Sequence, residues 1–412
     1  MHQTACRHCK AAAEEAGGKL VARSVVALVP CSNYEEESVY RAVAQGINLL
    51  GGIDKFAGTT EKVLLKPNML GKAEPAQAMT THPAVFKAVG RLLRESGCAD
   101  ITYGDSPGHA FASLQKVADG CGFHGPAQEF SIPMGDFMHG RQVDFPQGRI
   151  CKSFLICNGA LEADAIFNLC KMKTHALECV TGAVKNIYGC IPGVSKRAGH
   201  AKYPDAIRFA RMLADLNKVL KPRLHIMDGI VAMEGNGPTS GTPADVGVLL
   251  FSADPVALDS VFCHLIHVSP ALIATCTAGE QAGIGHWRED EVQVLTSDGE
   301  LSIFEVKARY GKPGFQVRRS GASVSALRML TRLIPGLQDR PVASPDLCIK
   351  CGACVKSCPV DGKAIFLDPR QEKAPRYDYK KCIRCYCCQE MCPAKAIEVK
   401  QPLKRIKNAG EA

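Results

Sequence analysis

The chain has 412 residues, 46% of them hydrophobic, which is enough for one large domain with a sizeable core and a smaller one beside it. The net charge of +9 comes from lysines and arginines spread along the chain and not interleaved with aromatics, which excludes the pattern of a single-strand nucleic-acid binder and leaves no nucleic-acid partner expected. No stretch is apolar for the length of a membrane span, and the first twenty residues lack the apolar core of a signal peptide, so a cytoplasmic protein is expected.

Cysteine is the outlier, with 21 residues. In a chain of this length without a signal peptide, that number points to metal binding rather than disulfides, and so many oxidisable thiols suit a reducing, anaerobic cytoplasm. Eight are explained by spacing, below; most of the others sit in apolar runs and read as core.

Residues 1–19 read as a polar tail in which Cys6-Arg-His-Cys9 is a lone C-x2-C pair, incidental rather than half a zinc site. From 20 to 310, strand-like and helix-like patterns alternate. Ser24 to Val29 is a strand, Tyr34 to Leu50 a helix with acidic residues in its first turn, and Lys62 to Pro67 a strand. His82 to Ser96 is a helix stopped by Gly97, and Asp100 to Asp105 a strand. Segments from Ala163, at Arg223 to Asp228 and at Val246 to Phe251 continue as strands, with Asp254 placed to cap the next helix. This alternation predicts an α/β layered domain with a largely parallel sheet, whose ligands bind at the carboxyl ends of strands.

Those strand ends are polar. Lys66-Pro-Asn68 ends one, and Gly104-Asp105-Ser-Pro-Gly108 another. Asn168-Leu-Cys-Lys171-Met-Lys173-Thr174-His175 ends a third and leads to Thr181-Gly-Ala-Val-Lys185-Asn186, then to Lys196 and His200. Asp228-Gly229 leads into Glu234-Gly-Asn236-Gly-Pro. So many cations in about thirty residues of moderately apolar sequence suggest a pocket for an anion. Lys66, Asn68, Asp105, Lys171, Lys173, Thr174 and Asn186 are read as substrate or anion binders. His175, Lys185 and His200 are read as the groups that do chemistry, the histidines moving protons near neutral pH. Asp105 is placed to orient a lysine or bind a metal. The plainer alternatives are a tight turn at Gly104 to Gly108 and a solvated or ion-paired Lys185.

Taken together, Lys-Pro-Asn, Gly-Asp-Ser-Pro-Gly, Lys-x-Lys-Thr-His, Thr-Gly-Ala-x-Lys-Asn and Glu-Gly-Asn-Gly-Pro resemble the uncharacterised family known as Domain of Unknown Function 362, over about residues 24–310. Members of that family are often fused to a ferredoxin-like segment, and no general activity is attached to it. A remoter resemblance runs through Gly182-Ala-Val-Lys185, Ile191-Pro-Gly193 and His200, which is similar to a stretch of the nickel-pincer lactate racemases. That resemblance implies Lys185 as a cofactor or substrate lysine and His200 as a metal ligand.

Residues 311–345 read as a linker rich in Arg, Gly, Ser and Pro, with a short amphipathic helix around Ala326 to Leu333. Residues 346–400 carry Cys348-Ile-Lys-Cys351-Gly-Ala-Cys354-Val-Lys-Ser-Cys358-Pro359 and Cys382-Ile-Arg-Cys385-Tyr-Cys387-Cys388-Gln-Glu-Met-Cys392-Pro393. Both read C-x2-C-x2-C-x3-C-P. One tight loop supplies three thiolates to a cubane, and the fourth cysteine of each run ligates the other cluster. This assigns Cys348, Cys351, Cys354 and Cys392 to one [4Fe–4S] cluster and Cys382, Cys385, Cys388 and Cys358 to a second. Zinc would instead call for paired C-x2-C units. Each run is followed by a short apolar strand, and the segment resembles the bacterial two-cluster ferredoxins, a small α+β fold. Cys387 departs from the minimal template and reads as a small residue packed near the cluster. A basic tail, 401–412, follows.

The expected function is an oxidoreductase in which two [4Fe–4S] clusters pass electrons to a small-molecule site on the α/β domain, with an electron donor or acceptor protein and a small anionic molecule as partners. The alternatives are a non-catalytic electron-transfer or maturation protein and a ligand-binding redox sensor.

Overall fold

Alternate residues of the first strand face two different cores. In β1 (Ser24–Pro30), Val26 and Leu28 pack into one hydrophobic cluster while Ala27 and Val29 pack into another, so the strand is covered on both faces. The computed structural model describes residues 23–108, 113–317, 338–368, 370 and 373–400. Cys6, Cys9, His109, the helix expected around 326–333 and the basic tail lie outside them.

The strands of the large domain are β1, β2 (Lys62–Pro67), β3 (Asp100–Tyr103), the hairpin β4 (Gly140–Asp144) and β5 (Ser153–Cys157), β6 (Ala165–His175), β7 (Cys179–Thr181), β8 (Leu224–Glu234), β9 (Thr242–Ser252), β10 (Val292–Thr296) and β11 (Gly299–Leu301). The main sheet has the order β11-β10-β1-β9-β8-β6-β2-β3, with β7 paired to the end of β6. Strands β1, β2, β3, β6, β8 and β10 run one way, and β7, β9 and β11 the other, so the sheet is mixed and largely parallel.

Helices α1 (Glu36–Leu49) and α2 (Pro83–Glu95) cover one face through Val39, Val43, Ile47, Phe86 and Val89. On the other face lie the short α3 (Ala183–Asn186), α4 (Gly193–Lys202), α5 (Ala206–Leu220) and α6 (Pro255–Leu265), which bury Phe209, Leu213, Val261 and Phe262. Each fully buried Leu or Phe contributes roughly 1.5–3 kcal/mol. Asp254 caps α6, its carboxylate accepting from the N–H groups of Val256 at 2.7 Å and Ala257 at 2.9 Å.

Two strands outrun their sequence signal. The apolar runs end near Asp228 and begin near Val246, yet β8 reaches Glu234 and β9 starts at Thr242. Past a register shift between Gly229 and Val231, the two strands pair with each other as a hairpin, which carries the loop at 235–241 beyond the sheet.

That loop meets the C-terminal module. Here β12 (Arg340–Ala343) pairs antiparallel with β15 (Ile397–Lys400), and β13 (Ile365–Phe366) with β14 (Arg376–Tyr377). Helices α7 (Ala353–Ser357) and α8 (Cys387–Glu390) follow the two cysteine loops. The repeated loop, helix and strand give the ferredoxin-like arrangement. No helix among the described residues is long and apolar enough to cross a membrane.

Candidate functional site

All eleven residues of β6 are buried, including Asn168, Lys171, Lys173, Thr174 and His175. A strand covered on both faces must satisfy each of these polar groups internally. Lys173 donates to Asn68 Oδ1 and to the Met79 carbonyl, both at 2.7 Å. Asn68 donates to Asn186 Oδ1 at 2.9 Å, and Asn186 donates to Asn168 Oδ1 at 2.7 Å. This amide chain joins the carboxyl ends of β2 and β6 to α3. Helix α3 is itself held from below: Asp259 accepts from Ala183 N–H at 2.6 Å and Val184 N–H at 3.2 Å.

Lys66 and Asp105, from the ends of β2 and β3, form a buried ion pair at 3.0 Å, and Asp105 also accepts from Met69 N–H at 2.6 Å. Asp105 is thus committed to a buried lysine. Gly189 makes room for the pair, since a Cβ there would overlap both Asp105 Oδ1 and Lys66 Nζ.

A cavity of about 400 Å³ opens between these strand ends and the cluster module. Its α/β wall includes Asn68, Asp105, Lys173, Lys185, Asn186, Lys196 and His200; its module wall includes Ser357, Cys387, Glu390 and Met391. His200 stacks on Phe209, with ring centroids 4.5 Å apart, and its Nδ1 has no hydrogen-bond partner among the described residues. Burial holds His200 down to about 4, a neutral imidazole at pH 7.

Not every residue read as a binder reaches this cavity. Lys171 and Lys173 go to different partners, because the pairing of β6 with β8 shifts register between them. Lys171 is turned to Asp228 at 2.7 Å and to Tyr34 Oη at 2.9 Å. Thr174 donates to the Gly235 carbonyl at 3.1 Å and accepts from Gly237 N–H at 3.2 Å, so it shapes the 235–241 loop. His175 stands behind the wall. Its Nδ1 accepts from the N–H groups of Leu177 and Glu178, which leaves Nε2 as the protonated nitrogen, 2.8 Å from Glu390 Oε1. Burial, with Lys185 nearby, pushes His175 down to about 4. Burial opposes ionisation of Glu390, but His175 and Lys185 outweigh it and hold the carboxyl below the ordinary range.

Several residues of the site carry no sequence signal. Glu390 is an acidic residue inside a cysteine spacer, and Gln389 beside it donates to the Asn236 and Gly237 carbonyls at 2.9 and 3.2 Å. Asn236 answers by donating to the Ile397 carbonyl at 3.1 Å. The Glu234-Gly-Asn-Gly-Pro stretch is therefore the seam with the cluster module. The Glu178 carboxyl is buried without a hydrogen-bond partner among the described residues, and burial pushes it up to about 8.

In the module, Cys348, Cys351, Cys354 and Cys392 line one small cavity, and Cys358, Cys382, Cys385 and Cys388 line another. Each set presents four thiols to a common space, the donor set of a [4Fe–4S] cluster, and each draws its fourth thiol from the other run. Cys387 belongs to neither set; it faces the interdomain cavity. Ten further cysteines, from Cys31 to Cys276, are buried in the core.

An α/β domain closed at its strand ends by a ferredoxin-like module defines an iron–sulfur protein with an electron-transfer module. Residues 347–396 match the 4Fe-4S dicluster domain, and residues 63–264 match the Domain of unknown function (DUF362). A thylakoid-associated protein of Synechocystis sp. is 38% identical over 283 residues, covering 68% of this chain and 85% of the relative. The chain belongs to the DUF362 family, in the form that ends in a ferredoxin-like segment. Two solved structures are remotely similar. The lactate racemase apoprotein from Thermoanaerobacterium thermosaccharolyticum has a TM-score of 0.38 at 14% identity, over 60% of this chain and 57% of that one. A structural-genomics protein from Thermotoga maritima has a TM-score of 0.33 at 14% identity, over 61% and 60%. This chain spans under two thirds of either, and likeness that remote carries nothing about Lys185 or His200.

Proposed function

We propose that the protein is an oxidoreductase that uses two [4Fe–4S] clusters, held by the two sets of four cysteines, to exchange electrons with a small molecule bound between its domains. The observation that carries this is the shared wall: one cavity is lined both by Lys173, Lys185 and His200 and by Cys387, Glu390 and Met391, which flank Cys388 and Cys392. When bound, the clusters supply one-electron transfer. The chain's own residues position and enclose. Asn68 and Asn186 fix the lysine wall, and Glu390 with Gln389 fixes the module against the 235–241 loop. Lys185 and Lys196 hold the charge of the bound molecule, and His200, neutral at pH 7, is placed to accept a proton from it. Leu347, Ile349 and Phe366 are exposed on the module, Leu347 and Ile349 next to Cys348, and they are the surface on which a protein electron donor or acceptor docks. The many buried cysteines of the core suit a reducing, anaerobic cytoplasm.

Anaerobic purification followed by iron, sulfide and mass-spectrometric small-molecule analysis tests this reading. About eight iron and eight sulfide per chain are expected. A small molecule is expected with the wild-type protein and not with Lys185→Met, whose clusters remain. Zinc without sulfide would remove the cluster assignment. Full clusters with no retained molecule, and a re-oxidation rate indifferent to Lys185→Met, would leave a plain electron carrier.

A further inference from the structure

Among the described residues, the large domain buries four lysines, and they fall into two classes. Lys66 and Lys171 each have a carboxylate, Asp105 at 3.0 Å and Asp228 at 2.7 Å. Lys173 and Lys196 do not. Among the described residues, Lys173 donates only to an amide oxygen and a carbonyl, and Lys196 only to the Ser106 carbonyl. The ammonium of Lys185, half-buried beside them, has no hydrogen bond or ion pair among the described residues. The paired lysines are structural; the three unpaired ones all line the same cavity.

An ammonium taken out of water without a counter-ion is costly, and an anion bound among the three would offset that cost. Burial pushes Lys173 down to about 7, with Lys185 adding to the effect, and Lys196 down to about 8, and the carboxylates of Asp105 and Glu390 offset this only in part. The charge count around the cavity agrees. Lys173, Lys185, Lys196, Arg197 and Lys356 line it against two carboxylates, of which Asp105 is committed to Lys66 and Glu390 faces His175. A single monoanion would leave most of that excess standing. The cavity volume lies in the range of organic ligands rather than a lone inorganic ion, and Leu70, Tyr188 and Met391 give it an apolar side.

We infer that the cavity binds an organic polyanion, a molecule carrying at least two phosphate or carboxylate groups, with Lys173, Lys185 and Lys196 as its anchor. This rests on the reading of the cavity as the place where electrons are exchanged, and it names the chemical class of the molecule bound there.

Calorimetric titration of the anaerobically purified full chain with pyrophosphate, succinate, inorganic phosphate and acetate tests it. Pyrophosphate or succinate should bind saturably and at least about tenfold tighter than acetate, and the preference between the two assigns phosphate or carboxylate as the anchored group. Lys185→Met and Lys196→Met should each weaken that binding about tenfold or more while iron and sulfide content is kept. Lys62→Met, which removes a surface lysine at the far end of β2, should leave it unchanged. If Lys196→Met fails to fold, acylation of Lys185 in the wild-type chain gives a second readout, slowed by pyrophosphate or succinate and not by acetate. No saturable binding of any of these anions, or binding indifferent to Lys185→Met with no protection of Lys185, overturns the inference and leaves a neutral molecule as the redox partner. Binding that follows the lysines but leaves cluster re-oxidation untouched would keep the polyanion site and remove the oxidoreductase reading.

Discussion

His175 Nε2, at the end of β6, lies 2.8 Å from Oε1 of Glu390, the last residue of α8, which sits between Cys388 and Cys392 in sequence. The α/β domain and the cluster module thus meet through an imidazole whose other nitrogen is locked by two backbone N–H groups. A fixed tautomer and a fixed ring make this contact a seam rather than a passing surface pair.

The contact should be energetically coupled. A double-mutant cycle of His175→Ala and Glu390→Ala, read by anaerobic denaturant unfolding, is expected to give an interaction energy between roughly 0.5 and 3 kcal/mol. Strictly additive effects would mean that the seam is held elsewhere, at Gln389 and Asn236.

Cluster wiring follows from the two thiol-lined cavities. Cys358 lines the cavity of Cys382, Cys385 and Cys388, although it belongs to the first run. Cys358→Ala is expected to damage that cluster and spare the one at Cys348, Cys351, Cys354 and Cys392. Electron paramagnetic resonance of the reduced variant distinguishes the two, and damage confined to the Cys348 loop would refute crossing ligands.

The Lys66–Asp105 pair should be expensive to break. Asp105→Ala leaves a fully buried ammonium uncompensated and is expected to destabilise the chain by about 3–5 kcal/mol, seen as a lower urea midpoint at unchanged slope. Gly189→Ala should act in the same direction, because its methyl group takes the space of that pair. A wild-type midpoint in Gly189→Ala would show that the pair can move aside.

Stability should respond to pH from two sides. Glu178 is pushed from 4.5 up to about 8, and Asp259 from 3.8 up to about 7, both by burial. Across those windows the folded chain holds protons that the unfolded chain has released, so stability falls as pH rises, by at most about 1.4 kcal/mol per pH unit for each group. His175 and His200 act oppositely: held neutral down to about 4 against an ordinary 6.5, they contribute stability above 6.5 that is lost as pH falls toward 4. Unfolding of Glu178→Gln at pH 5.5 and 8 should show a smaller loss on the alkaline side than wild type. An unchanged loss would place the titrating group elsewhere.

What the sequence determined by itself is local and periodic. The cysteine spacing is a covalent template, so the ligand sets at Cys348 and Cys382 and the crossing of Cys358 and Cys392 were legible before any fold. Alternating apolar runs located β1, β2, β3 and α1, α2, because period follows from backbone geometry alone. Lys173 and Asn68 were legible as polar residues at strand ends, where α/β sheets keep their ligands, and Lys185 and His200 as cations of the segment that follows. Only the tertiary structure decided that Lys171 and Thr174 serve the scaffold. A register shift in pairing with a distant strand separates Lys171 from Lys173, and nothing in the local pattern encodes it. Glu390, Gln389 and Gly189 acquire their roles from residues more than eighty positions away, across a domain seam or a strand crossover. An acid in a cysteine spacer and a glycine in a short turn look ordinary until the chain closes around them.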